Sequence, residues 1–153
     1  LELRNADRRA MPSGLGLHPY FPAGPDTVLN TEAASVWTID EEIMPVELAP
    51  ATGRYDLRDR PINAADLDNG YEGWGGEAEL RWRDRLVRMR ASGASRFQVY
   101  SPAEGGVVVI EPVTHANAAF NHPEERWPEL GVLVLEAGES TSLLARFDVE
   151  RLA

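Results

Sequence analysis

The sequence contains no cysteine, and all 15 of its basic residues are arginine, so lysine is absent as well. Without cysteine there are no disulfides, thiolate nucleophiles or cysteine-held zinc or iron–sulfur centres. Without lysine there is no Schiff-base chemistry and no phosphate-binding P-loop lysine. The lysine gap reads first as a codon effect, expected of a GC-rich bacterial genome. Long apolar runs are missing too: stretches such as Val107-Val108-Val109-Ile110 fall far short of the ~20 residues of a spanning helix. Positive charge is scarce, with 15 basic against 25 acidic residues and a net charge of −10. That balance has the wrong sign for neutralising phosphates, which argues against nucleic acid and acidic membranes as partners. Carboxylates, histidine, hydroxyls and backbone are left to carry any chemistry.

What is present is ordinary for one soluble globular domain: 153 residues, 43 % hydrophobic and 26 % charged. A chain of this length can bury roughly 70 % of its unfolded surface but leaves no room for a second catalytic domain. The opening Leu1-Glu2-Leu3-Arg4 shows neither a basic stretch nor an apolar one, so no signal peptide is visible and a cytoplasmic location is expected. Its alternation reads as the middle of a strand.

Strand patterns recur throughout, bounded by Gly, Pro, Asn and Asp, and no window holds a helical period. The expected fold class is all-β. Expected strands are Gly14 to His18, Thr27 to Thr31, Ser35 to Ile39, Arg96 to Tyr100, Gly106 to Glu111, Gly131 to Leu135 and Ser140 to Val149. Pro45 to Gly70 reads as one long connection. The clearest hairpin puts Ala78, Leu80, Trp82, Val87 and Met89 inward and Glu77, Glu79, Arg81, Arg83, Arg88 and Arg90 outward. The turn Gly73-Trp74-Gly75-Gly76 precedes it. Acidic and basic residues on its outer face can pair across the ladder for ~0.2–1 kcal/mol each. The run Val107 to Ile110 fits a strand covered on both faces.

Familiar catalytic and nucleotide-binding motifs are absent, and the three histidines, His18, His115 and His122, are not spaced as metal ligands usually are. Two segments each place a titratable side chain immediately before proline after an apolar stretch: Gly16-Leu17-His18-Pro19 and Val109-Ile110-Glu111-Pro112. Proline restricts the preceding residue to extended geometry and removes a ladder donor, so His18 and Glu111 are expected to sit rigidly at strand ends. Two readings stand side by side: an acid–base pair tuned by apolar surroundings, or a strand-capping Glu111 and a His18 packed on Tyr20. A third segment, Asp66-Leu67-Asp68-Asn69-Gly70-Tyr71, joins carboxylates to an aromatic ring, as carbohydrate sites do, and its Asn-Gly is equally a turn signal.

In order and content these segments resemble the aldose 1-epimerase (galactose mutarotase) family. The likeness rests on Arg4-Asn5 through Met11-Pro12 with Gly14-Leu15-Gly16-Leu17-His18-Pro19-Tyr20-Phe21, on Leu67-Asp68-Asn69-Gly70-Tyr71-Glu72-Gly73-Trp74, on Tyr100-Ser101-Pro102, and on Glu111-Pro112-Val113-Thr114-His115-Ala116 through Asn121. Leu135 to Ser140 is similar to the turn before the family's last strand. The resemblance implies an antiparallel β-supersandwich in which residues 1–153 form a single-domain fragment equivalent to the C-terminal half. It implies interconversion of the α and β anomers of a free aldose, with no cofactor and no metal. Glu111 matches the general base on the C1 hydroxyl, His18 the acid on the ring oxygen, and Asp68 a residue that hydrogen-bonds sugar hydroxyls. Asn117 departs from the aspartate of many members. An absent N-terminal half, the family's source of an arginine and a second histidine, would leave open sheet edges that homo-oligomer pairing could cover. Rival expectations are a non-catalytic carbohydrate-binding domain and a sugar-phosphate epimerase, the latter invited by Arg81, Arg83, Arg85, Arg88 and Arg90.

Overall fold

Alternation with a period of two recurs along the chain and sorts side chains onto two faces of each strand. The computed structural model, which describes residues 1–153, is built from that pattern. Its strands are β1 (Glu2–Arg4), β2 (Met11–Ser13), β3 (Tyr20–Ala23), β4 (Val28–Asn30), β5 (Ser35–Ile39), β6 (Pro45–Pro50), β7 (Arg60–Pro61), β8 (Leu67–Glu72), β9 (Glu77–Arg81), β10 (Arg85–Ser92), β11 (Arg96–Ser101), β12 (Gly106–Val113), β13 (Leu133–Leu135), β14 (Ser140–Ser142) and β15 (Leu144–Arg151). The one α-helix, α1, is the single turn Trp127–Leu130. Two antiparallel sheets dominate, a six-stranded one in the order β3-β12-β11-β8-β5-β6 and a five-stranded one in the order β15-β10-β9-β4-β7. The short pairs β1-β14 and β2-β13 lie beside them.

The main core is the seam between the large sheets. From the six-stranded sheet it takes Val36, Leu67, Tyr71, Phe97, Val99, Val108 and Ile110, and from the five-stranded sheet Leu29, Ala78, Leu80, Val87 and Met89. Each large side chain buried there contributes about 1.5–3 kcal/mol. The β9–β10 hairpin adopts the expected faces, with Glu79 opposite Arg88 and Glu77 opposite Arg90. Arg88 bonds Glu79 at 2.6 Å and Glu150 of β15 at 2.9 Å, while Arg90 bonds Glu77 at 3.3 Å and Asp148 at 3.2 Å. At the entrance to β9, Gly76 has φ +86, and a Cβ there would come within 2.7 Å of the Ala91 carbonyl oxygen. Residues Val108 to Ile110 are buried from both sides, as their continuous apolar run implies.

Several expectations are corrected. The stretch from Pro45 to Gly70 is not one connection: it holds β6, β7 and the start of β8. Prolines hid β6 and β7, and both are tolerated because each is the outermost strand of its sheet. Ser140 to Val149 divides at Leu143 into β14, which pairs with β1, and β15, which pairs with β10. Gly14 to His18 forms no strand beyond a single bridge from Gly16 to Val113. Glu111 does not end its strand, because β12 continues through Pro112 to Val113.

Candidate functional site

The prolines explain both of the last corrections. Gly16 stands opposite Val113 and Tyr20 opposite Val109, so the intervening residues run antiparallel in one constant register that sets His18 directly across from Glu111. Leu17 N–H donates to the Pro112 carbonyl at 3.2 Å, but Pro112 has no N–H to return, and Pro19 has none to offer two positions on. The ladder is thereby thinned without losing register. The Pro112 carbonyl points toward Leu17, so its missing donor lies on that side too, and the ladder from β12 to β11 runs on undisturbed as far as Val113 opposite Arg96.

Register also assembles the rest. Gln98 of β11 lies between Glu111 of β12 and Gly70 of β8, and Tyr100 lies between Val109 and Asp68. With Tyr20 opposite Val109, these side chains share the face of the six-stranded sheet that points away from the main core. His18 Nε2 is 3.3 Å from Glu111 Oε1. Gln98 Nε2 donates to Asp68 Oδ1 at 2.8 Å. The three residues singled out in the sequence, His18, Asp68 and Glu111, are therefore brought together on one surface. His18 also lies against Tyr20, ring centroids 5.0 Å apart, so its packing contact coexists with the carboxylate contact.

Exposure differs sharply across the pair. The Glu111 side chain is 13 % exposed and that of His18 55 %. Burial pushes the Glu111 carboxyl up from 4.5 to about 7, with His18 opposing the rise and Asp68 adding to it. Burial likewise raises Asp68, against the hydrogen bond from Gln98 and the pull of His18. The Glu111 carboxyl, with the exposed His18 imidazole 3.3 Å away, can take up and release a proton near neutrality. No group of three or more His, Cys, Asp or Glu side chains is arranged to hold a metal ion.

Two features escaped sequence reasoning. Gln98 is buried, and its Oε1 has no hydrogen-bond partner while lying 3.1 Å from where a Gly70 Cβ would be. The signal was available in β11, where Arg96, Gln98 and Tyr100 alternate with core-facing Phe97 and Val99. The second is a partly buried clamp at one end of the face. Glu72 accepts from Trp37 Nε1 at 2.9 Å and from Arg96 Nε, and Arg96 also donates to the carbonyls of Thr114 at 3.1 Å and Glu129 at 3.0 Å. Trp37 packs there with Ala116, Ala119, Leu130 and Val132, so the segment from Ala116 to Val132 closes that end of the face.

The antiparallel β-sandwich of two large sheets defines the class, a galactose mutarotase-like fold. Solved structures share it: a protein from Escherichia coli K12 (TM-score 0.79, 24 % identity, 99 % of this chain and 55 % of that one) and a galactose mutarotase-like protein from Clostridium acetobutylicum (TM-score 0.80, 16 % identity, 99 % and 51 %). At these identities the likeness concerns the fold. In sequence, the chain is 26 % identical to the uncharacterized protein YphB of Escherichia coli (strain K12), over 99 % of this chain and 55 % of the relative. The family model for aldose 1-epimerase matches residues 1–147, and the chain belongs to that family. It spans about half the length of these relatives.

Proposed function

We propose that this chain supplies the acid–base face of an aldose 1-epimerase acting on a free aldose, and that it corresponds to the C-terminal half of longer members. The observation that carries the proposal is Glu111, held under cover with its carboxyl raised to about 7 and placed 3.3 Å from His18. The Glu111 carboxylate removes the proton of the C1 hydroxyl. The freed electron pair forms the C1 carbonyl as the bond from C1 to the ring oxygen breaks, and His18 delivers a proton to that oxygen. Rotation about C1–C2 and closure on the other carbonyl face, with both transfers reversed, give the other anomer. Both oxygens are bonded to one carbon, so acid and base must stand side by side, which the cross-strand register provides. Asp68 offers an acceptor to sugar hydroxyls, and Gln98, which donates to it from the buried ground between Glu111 and Gly70, holds that carboxylate in place. Two positioned proton-transfer groups at ~10²–10⁴-fold each suit a reaction that needs no stronger electrophile.

A sugar phosphate finds less support. Arg96 is already committed to Glu72, Thr114 and Glu129, and Arg88 and Arg90 are neutralised on the outer face of the other sheet. Polarimetry of freshly dissolved α-glucose and α-galactose tests the proposal, using this chain, the corresponding longer polypeptide and their Glu111→Gln forms. Acceleration by the longer polypeptide that falls ~10²–10⁴-fold in the variant is expected. Sugar binding with no acceleration in either parent would assign a binding role instead.

A further inference from the structure

Ahead of β3 the chain runs antiparallel to the end of β12, with Leu15 opposite Thr114 and Leu17 opposite Pro112 in the register that sets His18 opposite Glu111. Alternate pairs along an antiparallel ladder are hydrogen-bonded, and each of these normally exchanges two backbone bonds. Leu15 and Thr114 make only one of the two: Thr114 N–H donates to the Leu15 carbonyl at 2.9 Å. The return bond goes to a side chain. Leu15 N–H donates to the Thr114 hydroxyl oxygen at 2.8 Å, and the Thr114 carbonyl turns instead to Arg96, whose Nη1 donates to it at 3.1 Å.

Neighbouring groups hold this exchange of partners in place. Arg96 is fixed by the Glu72 carboxylate and by the Glu129 carbonyl at 3.0 Å. Gly131, at φ +78, leaves the room: a Cβ there would overlap Arg96 Nη1 and come within 2.5 Å of the Thr114 carbonyl oxygen. Thr114 is buried, so a partner lost from its hydroxyl is not replaced by bulk water. Beside it the His115 ring lies against Gly14, where a Cβ would overlap the ring. The only other backbone bond made by residues 14–18 is Leu17 N–H to the Pro112 carbonyl at 3.2 Å. Two backbone donors therefore locate the segment ahead of His18, and one of them depends on Thr114 Oγ1.

We propose that Thr114 is a positioning residue for His18: its hydroxyl stands in for its own carbonyl in the ladder and, through Leu15, locates the segment that carries the imidazole. The carbonyl freed by this substitution passes the restraint on to Arg96 of β11 and Glu72 of β8, the two strands that also bear Gln98 and Asp68. The grip ends at Leu17, so the segment is located while the His18 ring keeps local freedom. The catalytic consequence rests on the acid role of His18 proposed above, and the restraint itself does not. Proton transfer needs an approach of about 2.6–3.2 Å between heavy atoms, whereas hydroxyl binding at Asp68 does not pass through Leu15. Losing the restraint should therefore lower kcat and leave KM nearly unchanged.

The test compares Thr114→Val, which keeps the shape of threonine and removes the acceptor, with Thr114→Ser, which keeps the acceptor. Both are made in the longer polypeptide and assayed where urea unfolding shows them fully folded. Polarimetry should give a kcat about 10–100-fold lower for Thr114→Val with KM within about twofold, and Thr114→Ser should stay within about threefold of the parent. A second measurement needs no activity. In Thr114→Val the Leu15 amide should exchange about tenfold faster and the His18 Cε1–H resonance should move while that of His122 stays, and Thr114→Ser should show neither change. Equal loss of kcat in both variants, a raised KM with kcat kept, or an unchanged Leu15 amide and His18 resonance in Thr114→Val would overturn the proposal. A parent without mutarotase activity would overturn the acid role alone, and amide exchange with the His18 resonance would then decide the restraint.

Discussion

Replacing Glu111 by glutamine should make the fold more stable at pH 8 while removing proton transfer. Burial raises the Glu111 carboxyl from 4.5 to about 7, so the folded protein keeps a proton there that the unfolded chain gives up. Below about pH 4.5 both states are protonated and the residue costs nothing. Between pH 4.5 and about 7 the unfolded state binds fewer protons, so stability falls with rising pH. Above about pH 7 the folded state carries the buried anion in full, at a cost of about 3 kcal/mol from the size of the rise. Glutamine is nearly isosteric and does not titrate. The opposing pull of His18 is already contained in that net rise, so roughly 1–3 kcal/mol favours the variant at pH 8, with little difference at pH 5. For a chain of this size that corresponds to a Tm higher by roughly 2–12 °C. Urea unfolding of both proteins at pH 5 and pH 8 measures the difference directly. Parallel pH dependences would show that Glu111 does not carry a buried charge and would remove the basis for treating it as a base poised near neutrality.

The same ionisation should appear in activity: with Glu111 as base, kcat/KM for anomer exchange in the longer polypeptide rises through about pH 7, and a profile flat from pH 5 to 9 would contradict the role. Gly70→Ala should weaken sugar binding about tenfold, because its Cβ would press on Gln98 Oε1 at 3.1 Å, while unfolding free energy changes by less than about 1 kcal/mol; calorimetric titration and urea unfolding separate the two. Arg96→Met should cost about 1–3 kcal/mol by leaving the partly buried Glu72 carboxylate with only its Trp37 hydrogen bond, and adding Glu72→Gln should recover much of the loss in the same unfolding assay. Arg90→Ala, on the exposed ladder of β9, β10 and β15, should change stability by less than about 1 kcal/mol, and a larger loss would mean that the outer face is not a solvated one.

Alternation made the core legible. Ala78, Leu80, Val87 and Met89 fall where a period of two puts them, and the run Val107 to Ile110 marks a central strand before any neighbour is known. Edge strands were illegible for the opposite reason: β6 and β7 bury little, so their sequences carry proline and charge in place of a pattern. His18 and Glu111 were visible as pre-proline residues, but the expected consequence was only partly right. A proline after an apolar stretch predicts a strand end, and Pro112 instead sits where its missing donor faces away from β11. Gln98 went unnoticed because its meaning lies in what stands on either side, and strand order β12-β11-β8 cannot be read from spacing alone.

That order explains why the proposed acid–base pair and Asp68 share one face. Asp68, Gln98 and Glu111 come from three successive neighbours in the sheet, and a shift of one residue in any of them would turn its polar side chain into the main core. The core side of the same strands is filled by Leu67, Tyr71, Phe97, Val99, Val108 and Ile110, so the hydrophobic pattern that holds the sandwich together also fixes which side chains reach the site. Burying Ile110 and its neighbours on one side leaves Glu111 no choice of direction, and the cover that raises its proton affinity comes from the strands beside it. The weak point is the His18 side. There the ladder lacks two donors, and the segment from Gly14 to Pro19 is held by Gly16, Leu17 and the bonds of Leu15 with Thr114. On the proposed reading the base is thus set inside the sheet, on β12, and the acid in a segment held by few backbone bonds, which leaves His18 the freedom to follow a ring oxygen that moves when the sugar opens.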